Sequence, residues 1–167
     1  MRKNLIGGGI FLLLFITSLA NSQVTIPGAG EATQLKRSVF GIGLFGGPSS
    51  GLGLSFRHHL PSALSYQVTG GVIKVDEKLY YAIGGEVQYD FILGSSSRIF
   101  ALAGGGYYHA GESDHNELDG PARIGLGVGG EFRVLESIHG IAEVAFTYFT
   151  DGTILPLPQI GFYYYFL

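Results

Sequence analysis

The sequence predicts an all-β fold, an eight-stranded antiparallel up-and-down transmembrane β-barrel. Apolar residues alternate with small or polar residues along runs that approach the about 9–11 residues a tilted strand needs to cross a bilayer. Glycine accounts for 28 of 167 residues, while only 14% are charged. Beyond the N-terminal segment, glycine and polar residues interrupt every apolar stretch, so no other window could form a membrane-spanning helix.

The composition also excludes several classes of protein. Aromatic residues make up 13% of the chain, and the charged share is well below the usual value of about 25%, so the chain is not disordered. The net charge is −3 and no basic run is present, which argues against a nucleic-acid partner. The absence of cysteine excludes disulfide scaffolds, thiolate metal sites and a lipid-modified N-terminal cysteine. We expect no cofactor.

The N-terminal residues 1–22 have the organisation of a secretory signal peptide. A basic start, Met1–Asn4, precedes the apolar run Ile10–Ile16, and the small residues Ala20 and Ser22 precede a cut before Gln23. A cut after Ala20 is the alternative. A retained membrane anchor is less favoured, because the apolar run is shorter than the about 20 residues of a spanning helix. Residues 23–36 are then a periplasmic N-terminal lead, and residues 37–167 form the barrel.

The strand over Arg123–Val134 shows the alternation most clearly. One of its faces is apolar apart from a single glycine, and the other carries only glycines and charges. A soluble sandwich would cover its polar face with larger polar side chains. The bare face therefore suggests a crowded barrel interior, with the apolar face turned to lipid. The outward residues are Ile124, Leu126, Val128, Gly130, Phe132 and Val134.

The same pattern occurs seven more times along the chain. In Arg98–His109 we assign Phe100 and Leu102 to the outer face, and Ala101 and Ala103 to the lumen. The other predicted strands are Ser38–Gly46, Gly51–His58, Leu64–Val75, Leu79–Phe91, Gly140–Phe149 and a last run that ends with Ile160–Leu167.

The connections between the strands indicate the orientation of the barrel. An even number of strands places both ends of the barrel on one side, the periplasm. The periplasmic turns are then His59–Ala63, Gly94–Ser97 and Glu136–His139. The other connections face outward, and Ala110–Pro121 is the longest of them. Short periplasmic turns and longer outer loops are typical of such barrels.

Seven charged residues are predicted to face the lumen as a polar network. An eight-stranded barrel is only wide enough for side chains to fill it, and a buried carboxylate needs a partner. We expect a static plug of paired charges; a gate that opens by exchange of partners is the alternative. The seven residues are Arg57, Glu86, Asp90, Arg123, Glu131, Arg133 and Glu143.

The longest outer loop is acidic and contains no basic residue. Its acids are Glu112, Asp114, Glu117 and Asp119. Oxygen-rich loops can bind calcium, but the spacing here is not that of an EF-hand loop, so we predict no metal site. A solvated external loop that contacts a partner fits the sequence better.

The signal peptide, the alternating strands, the many glycines and tyrosines and the aromatic last strand together resemble the small eight-stranded outer-membrane barrels of the OmpA and OmpX type. The resemblance implies residence in the outer membrane of a Gram-negative bacterium, with lipid and the barrel-insertion machinery as partners. Members of this class usually end in an aromatic residue that is recognised during insertion. The resemblance assigns that signal to Phe162, Tyr164 and Phe166, although the chain continues to Leu167.

The function that follows is non-enzymatic, either structural or binding and adhesion through the external loops. The alternative is a lipid-modifying enzyme or a small-molecule conduit in the same scaffold, because some barrels of this class modify lipid A with a histidine, a serine and an acid. His109 with Ser113 and Glu112 is the set on the external side. His58 and His59 are close to Ser62 in sequence, but beside a periplasmic turn.

Overall fold

Eight long strands form the protein in a computed structural model that describes residues 24–25, 38–112 and 115–166. All eight run antiparallel to their sequence neighbours. The strands are β1 (Val39–Gly47), β2 (Gly51–His59), β3 (Leu64–Val75), β4 (Lys78–Leu93), β5 (Ser97–Glu112), β6 (Ala122–Arg133), β7 (Ile138–Phe149) and β8 (Ile154–Phe166). Two further segments, Val24–Thr25 and His115–Asn116, add short pairings to β4 and β5.

The sheet closes on itself because the last strand pairs with the first. The β8–β1 ladder runs from Phe166 opposite Phe40 to Ile160 opposite Gly46. Closure gives backbone N–H and C=O groups partners within the sheet, as hydrocarbon requires. The predicted fold class, a closed eight-stranded antiparallel barrel, is confirmed. Among the described residues, no helix is long and apolar enough to cross a membrane.

The two ends of the barrel differ. One end, called here the terminal end, carries the start of β1, the end of β8 and the short turns at residues 60–63, 94–96 and 134–137. The opposite end, the loop end, carries the connections at residues 76–77, 115–121 and 150–153, and the shorter β1–β2 hairpin turns at residues 48–50 on the same side of the barrel. The predicted signal peptide lies outside the described residues, as does the predicted lead apart from residues 24–25.

Side chains alternate between an apolar outer face and a polar inner face. On β6, Ile124, Leu126 and Val128 are each more than half exposed, whereas Glu131 is 2% exposed. On β2, Leu52, Leu54 and Phe56 point outward and Arg57 inward. The face assignments predicted for the core of seven strands are confirmed, and the outer face forms a continuous apolar belt.

The prediction for β5 is wrong: its two faces are exchanged. Phe100 is fully buried and Leu102 is 4% exposed, while Ala101 and Ala103 lie on the outer face. Phe100 stands opposite Gly129 of β6, where a Cβ atom would lie 2.8 Å from the phenyl ring. The glycine leaves the lumen space that the ring occupies. Arg98 lies on the same face of β5 as Phe100 and Leu102, so its side chain also points inward.

The outer face predicts how one substitution affects stability. Val128 lies mid-strand and is 56% exposed on the apolar belt. A charge on the lipid face costs about 2–4 kcal/mol at the bilayer midplane. We expect Val128→Arg to lower the free energy of unfolding in lipid vesicles by about that amount. Urea titration measures it, with Val128→Leu as the apolar control. Equal stability of the two variants would mean that this face does not contact lipid.

Candidate functional site

A buried carboxylate, Glu131 of β6, forms the centre of the lumen network. Its Oε2 atom accepts hydrogen bonds from Arg57 Nη1 at 3.2 Å and from Arg98 Nη2 at 2.7 Å. Its Oε1 atom accepts one from His139 Nδ1 at 2.8 Å. Glu131 thereby connects strands β2, β5, β6 and β7 through one charged group.

Arg98 makes the largest number of different contacts in this network. Its guanidinium forms an ion pair with Asp90 and donates to Gln88 Oε1 at 2.6 Å and Ser65 Oγ at 3.1 Å. The side chain also lies over the Phe100 ring, 4.3 Å from its centroid. The prediction omitted Arg98 because the faces of β5 were assigned the wrong way round. Glycine occurs on both faces of β5, at Gly104 and Gly106 and at Gly105, so the signal in the sequence is Gly129, which stands opposite Phe100 on β6.

A second group of acids lies further toward the loop end. Gln88 Nε2 donates to Glu86 Oε1 at 2.6 Å and to Glu143 Oε1 at 3.2 Å. Gln159 Nε2 donates to Glu143 Oε2 at 3.2 Å, and Arg57 Nη2 lies 3.5 Å from Glu143. Two amides and a guanidinium therefore share the two carboxylates.

Inward tyrosines of β8 complete the wall of the network. The Tyr163 hydroxyl donates to Ser55 Oγ at 2.7 Å, and Arg57 lies 4.5 Å from the centre of the Tyr163 ring. The Tyr165 hydroxyl lies 2.8 Å from His59 Nε2, which is itself 3.6 Å from Glu131. The rings fill space that the charged groups leave, so side chains occupy the cross-section here.

The β1–β2 turn, residues 48–50, folds into the lumen and covers the network from the loop end. Ser49 Oγ donates to Gln159 Oε1 at 2.8 Å, and Ser50 Oγ donates to Glu86 Oε2 at 2.9 Å. Glycines make room for it: a Cβ atom on Gly125 would lie 2.6 Å from Ser49 Cβ. The crowded interior predicted from bare glycine faces is thus partly filled by backbone.

Five of the seven predicted lumen charges lie together in the network: Arg57, Glu86, Asp90, Glu131 and Glu143. Arg123 lies apart at the loop end, where its Nη1 donates to Pro48 O at 3.2 Å and its guanidinium lies 4.1 Å from the centre of the Tyr108 ring. The structure differs from the prediction at Arg133, which is exposed and outside the network. Arg133 is the last residue of β6, so its side chain is at the barrel rim rather than in the lumen.

The acidic loop is attached to the barrel rim through polar contacts. Lys78 Nζ donates to Glu117 Oε2 at 3.0 Å and forms an ion pair with it. Asn116 Nδ2 donates to Tyr108 O at 2.9 Å, while Glu112 and Asp119 are exposed. Asp114 lies outside the described residues. Within residues 38–112 and 115–166, no group of three or more His, Asp or Glu side chains is arranged to bind a metal ion.

The three aromatic residues predicted as the insertion signal lie on the outer face. Phe162 is 59%, Tyr164 50% and Phe166 59% exposed. They stand opposite Leu44, Ile42 and Phe40 of β1 at the closing seam. Their role in insertion stays a prediction.

Among the described residues, no histidine forms a Ser–His–acid set of the kind considered for catalysis. His109 Nε2 lies 2.9 Å from Glu112 O, and its ring stacks on Tyr81. Ser113 lies outside the described residues. Ser62 Oγ accepts a hydrogen bond from Leu64 N at 3.2 Å. On the outer surface, however, His58 Nε2 lies 2.9 Å from Ser38 Oγ and His58 Nδ1 lies 3.1 Å from the Tyr66 hydroxyl. The sequence analysis does not predict this contact between Ser38 and His58.

The closed barrel with an apolar exterior and a charged interior has the architecture of the small eight-stranded outer-membrane barrels. The sequence matches no protein-family model and no curated protein.

Solved structures with a similar fold include two of Ail and one of a major outer membrane protein. Ail from Yersinia pestis in a phospholipid nanodisc is 13% identical, with a TM-score of 0.49 over 77% of this chain and 98% of that chain. The major outer membrane protein from Thermus thermophilus is 11% identical, with a TM-score of 0.45 over 78% of this chain and 100% of that chain. Ail from Yersinia pestis in a crystal structure is 12% identical, with a TM-score of 0.42 over 77% of this chain and 97% of that chain.

The contacts of Glu131 predict a large loss of stability when its charge is removed. Glu131→Gln leaves two buried guanidinium groups with less compensation, and breaking a buried ion pair costs about 3–5 kcal/mol. We expect a loss of that size in urea titrations in vesicles. Arg133→Gln is the control, and as an exposed substitution it should change stability by no more than about 0.5 kcal/mol. Equal stability of both variants would contradict the network.

The filled cross-section predicts that the barrel does not conduct ions steadily. The Arg57–Glu131 and Arg98–Glu131 contacts block the lumen at the terminal end, and residues 48–50 block it nearer the loop end. Planar-bilayer recordings of the purified barrel should therefore show no stable open level, in contrast to a large porin recorded in the same way. A persistent open channel would overturn the plugged lumen.

Proposed function

We propose that this protein is a non-enzymatic barrel of the outer membrane of a Gram-negative bacterium. Its plugged body holds the loop end outward for adhesion or binding. One observation carries the proposal: the outer face is an apolar belt around the closed sheet, while buried ion pairs and the inward turn fill the lumen. Such a body can anchor and support loops, and it offers no path for transport.

Residence in the outer membrane is supported by the pattern of the two faces. A soluble barrel would turn apolar side chains such as Leu126 and Phe146 inward, but both are more than 60% exposed. Lipid covers this belt in our proposal. The predicted signal peptide supplies the route of export, and Phe162, Tyr164 and Phe166 are the proposed signal for the insertion machinery.

Binding is proposed for the loop end because its longest loop is acidic and held by the barrel. The Glu117–Lys78 ion pair and the Asn116 hydrogen bonds fix the loop against β3–β4 and β5. Glu112 and Asp119 remain exposed. A negatively charged surface favours a basic partner, because complementary charge increases the rate of association and disfavours acidic partners.

The acidic loop predicts selective binding to basic surfaces. Intact cells displaying the protein should bind beads coated with lysozyme, a basic protein, better than beads coated with heparin. The triple variant Glu112→Gln/Glu117→Gln/Asp119→Asn should lose most of that difference. Glu136→Gln removes one charge at the terminal end and should leave binding unchanged. Unchanged preference for lysozyme-coated beads in the triple variant would contradict the proposed role of the loop.

The enzyme alternative has one specific observation in its favour, the Ser38–His58 contact. A serine beside a histidine can act as a nucleophile when the other ring nitrogen is oriented, here by Tyr66. If the barrel is a hydrolase, a fluorophosphonate probe in detergent should label the wild type and not Ser38→Ala. We expect no labelling of either protein, because both Ser38 and His58 lie on the outer surface, which lipid covers in our proposal.

A further inference from the structure

The wall of the barrel is incomplete at the loop end. The ladder between β2 and β3 stops at the pair Leu54–Gly70, but β3 continues to Val75 with only β4 beside it. On the other side, the β8–β1 ladder stops at Ile160–Gly46. The first part of β8, from Ile154, pairs only with β7. The β1–β2 hairpin is too short to fill the interval between these two edges.

The hairpin does not reach the loop end because its tip turns into the lumen. A Cβ atom on Gly84 of β4 would lie 2.5 Å from Ser50 C and 2.7 Å from Gly51 N. The tip therefore passes behind β3 and rests on the inner face of β4. Gly51 has a φ of +109°, which L residues with a side chain rarely adopt. Because the turn lies in the lumen, it does not extend the wall, and a gap remains beside β3.

A cavity of about 1020 Å³ lies where β2 and β3 separate. Its lining includes outward side chains of the apolar belt, Leu52 and Ile83 among them. It also includes Tyr80, Ala82 and Tyr108, which lie on the inner face of their strands by alternation with Glu86 and Leu102. The cavity thus connects the outer face with the space above the inward turn.

The chemistry of the cavity suits a hydrocarbon chain. Its wall is mainly aliphatic and aromatic, and its polar side chains are Tyr80, Tyr81, Tyr108 and His109. The Tyr108 hydroxyl is already paired, since it accepts from Gly51 N at 2.8 Å and donates to Gly47 O. No Lys, Arg, Asp or Glu side chain belongs to its described lining. The volume is at the upper end of the range of about 300–1,000 Å³ typical of small-molecule sites.

We propose that the gap between β2 and the outer half of β3 is a lateral opening that admits one acyl chain of a lipid from the surrounding membrane. The occupant follows from continuity, because the belt that contacts lipid in the proposed function forms one side of the cavity. The inference rests on that proposed function. The chain enters beside Val72, beyond the point where Gly53 of β2 packs against Gly71 of β3, and lies against Tyr80 and Ala82, above the plugged lumen.

Tryptophan fluorescence tests the opening, because the chain contains no native tryptophan. Three single replacements report three environments in phospholipid vesicles. Tyr80→Trp reports the cavity, Phe146→Trp the apolar belt, and Phe149→Trp the inner face of β7 at the loop end, away from the cavity. Phospholipid with brominated acyl chains should quench the first two to a comparable extent and should leave Phe149→Trp largely unquenched.

Closing the opening provides the second measurement. Gly70 lies at the end of the β2–β3 ladder, and its Cβ would lie 3.6 Å from Ala82 O, an ordinary contact. Gly70→Leu in the Tyr80→Trp protein should remove the quenching. Gly130→Leu in the same protein is the matched control, because its Cβ would lie 3.7 Å from Arg98 O and it does not line the cavity. The shift of the folded band on unboiled gels confirms that each variant folds.

The outcomes separate this inference from the proposed function. If Phe146→Trp is not quenched, the belt does not contact lipid and both are overturned. If Phe146→Trp is quenched and Tyr80→Trp is not, only the lateral opening is overturned. Quenching of Tyr80→Trp that persists with Gly70→Leu contradicts entry beside β3. Quenching by a brominated fatty acid added from water, but not by the bilayer lipid, contradicts the membrane as the source.

Discussion

The burial of Glu131 is the constraint on which the rest of the interior depends. A carboxylate that is removed from water must be compensated, and here Arg57, Arg98 and His139 do so from three other strands. Each donor reaches Glu131 only when its strand has the observed register, since a slip of one residue would turn its side chain outward. The network therefore specifies which residues of β2, β5, β6 and β7 share the lumen. The free-energy cost of removing Glu131 from water is offset by several hydrogen bonds rather than by one ion pair.

Glycines determine which parts of the lumen can be filled by side chains and backbone from other segments. Gly129 leaves space for Phe100, while Gly84 and Gly125 leave space for the backbone and side chains of residues 48–50. The turn can thus cover the acids Glu86 and Glu143 with serine hydroxyls and a shared glutamine. This arrangement has a structural consequence, because backbone used inside the lumen is missing from the wall. At the wall, Pro156 and Pro158 lie in the part of β8 that pairs only with β7. Since proline has no N–H, these residues leave fewer unpaired donors on that edge.

Most of the fold could be predicted from the sequence, because strand alternation is a local property. On β6, the contrast between Leu126 or Val128 and the intervening glycines settles the two faces without reference to neighbours. On β5 the same reasoning fails, because alanine suits a crowded lumen and Phe100 suits lipid. Only the glycine opposite, on another strand, makes the reverse arrangement possible. The sequence analysis therefore leaves Arg98 out of the lumen network.

The sequence analysis wrongly places Arg133 in the lumen network, because alternation shows which face a residue shares but not where the strand ends. The inward turn at residues 48–50 reads as an ordinary loop, since its destination depends on glycines far away in sequence.

The two ends of the barrel consequently have different physical roles. Toward the terminal end, charged groups from several strands are buried together, and opening that part would expose Arg57 and Arg98 without their partners. At the loop end, the strands are longer than the β1–β2 hairpin, the wall of the cavity is mainly apolar, and the ion pair Lys78–Glu117 joins the β3–β4 hairpin to the described part of the acidic loop. That pair is half exposed on both sides, so solvent screens it and it holds the two segments together only weakly. Changes of shape on binding are therefore expected at the loop end, where few strong contacts oppose them, above a charged network that holds the rest of the barrel in one register.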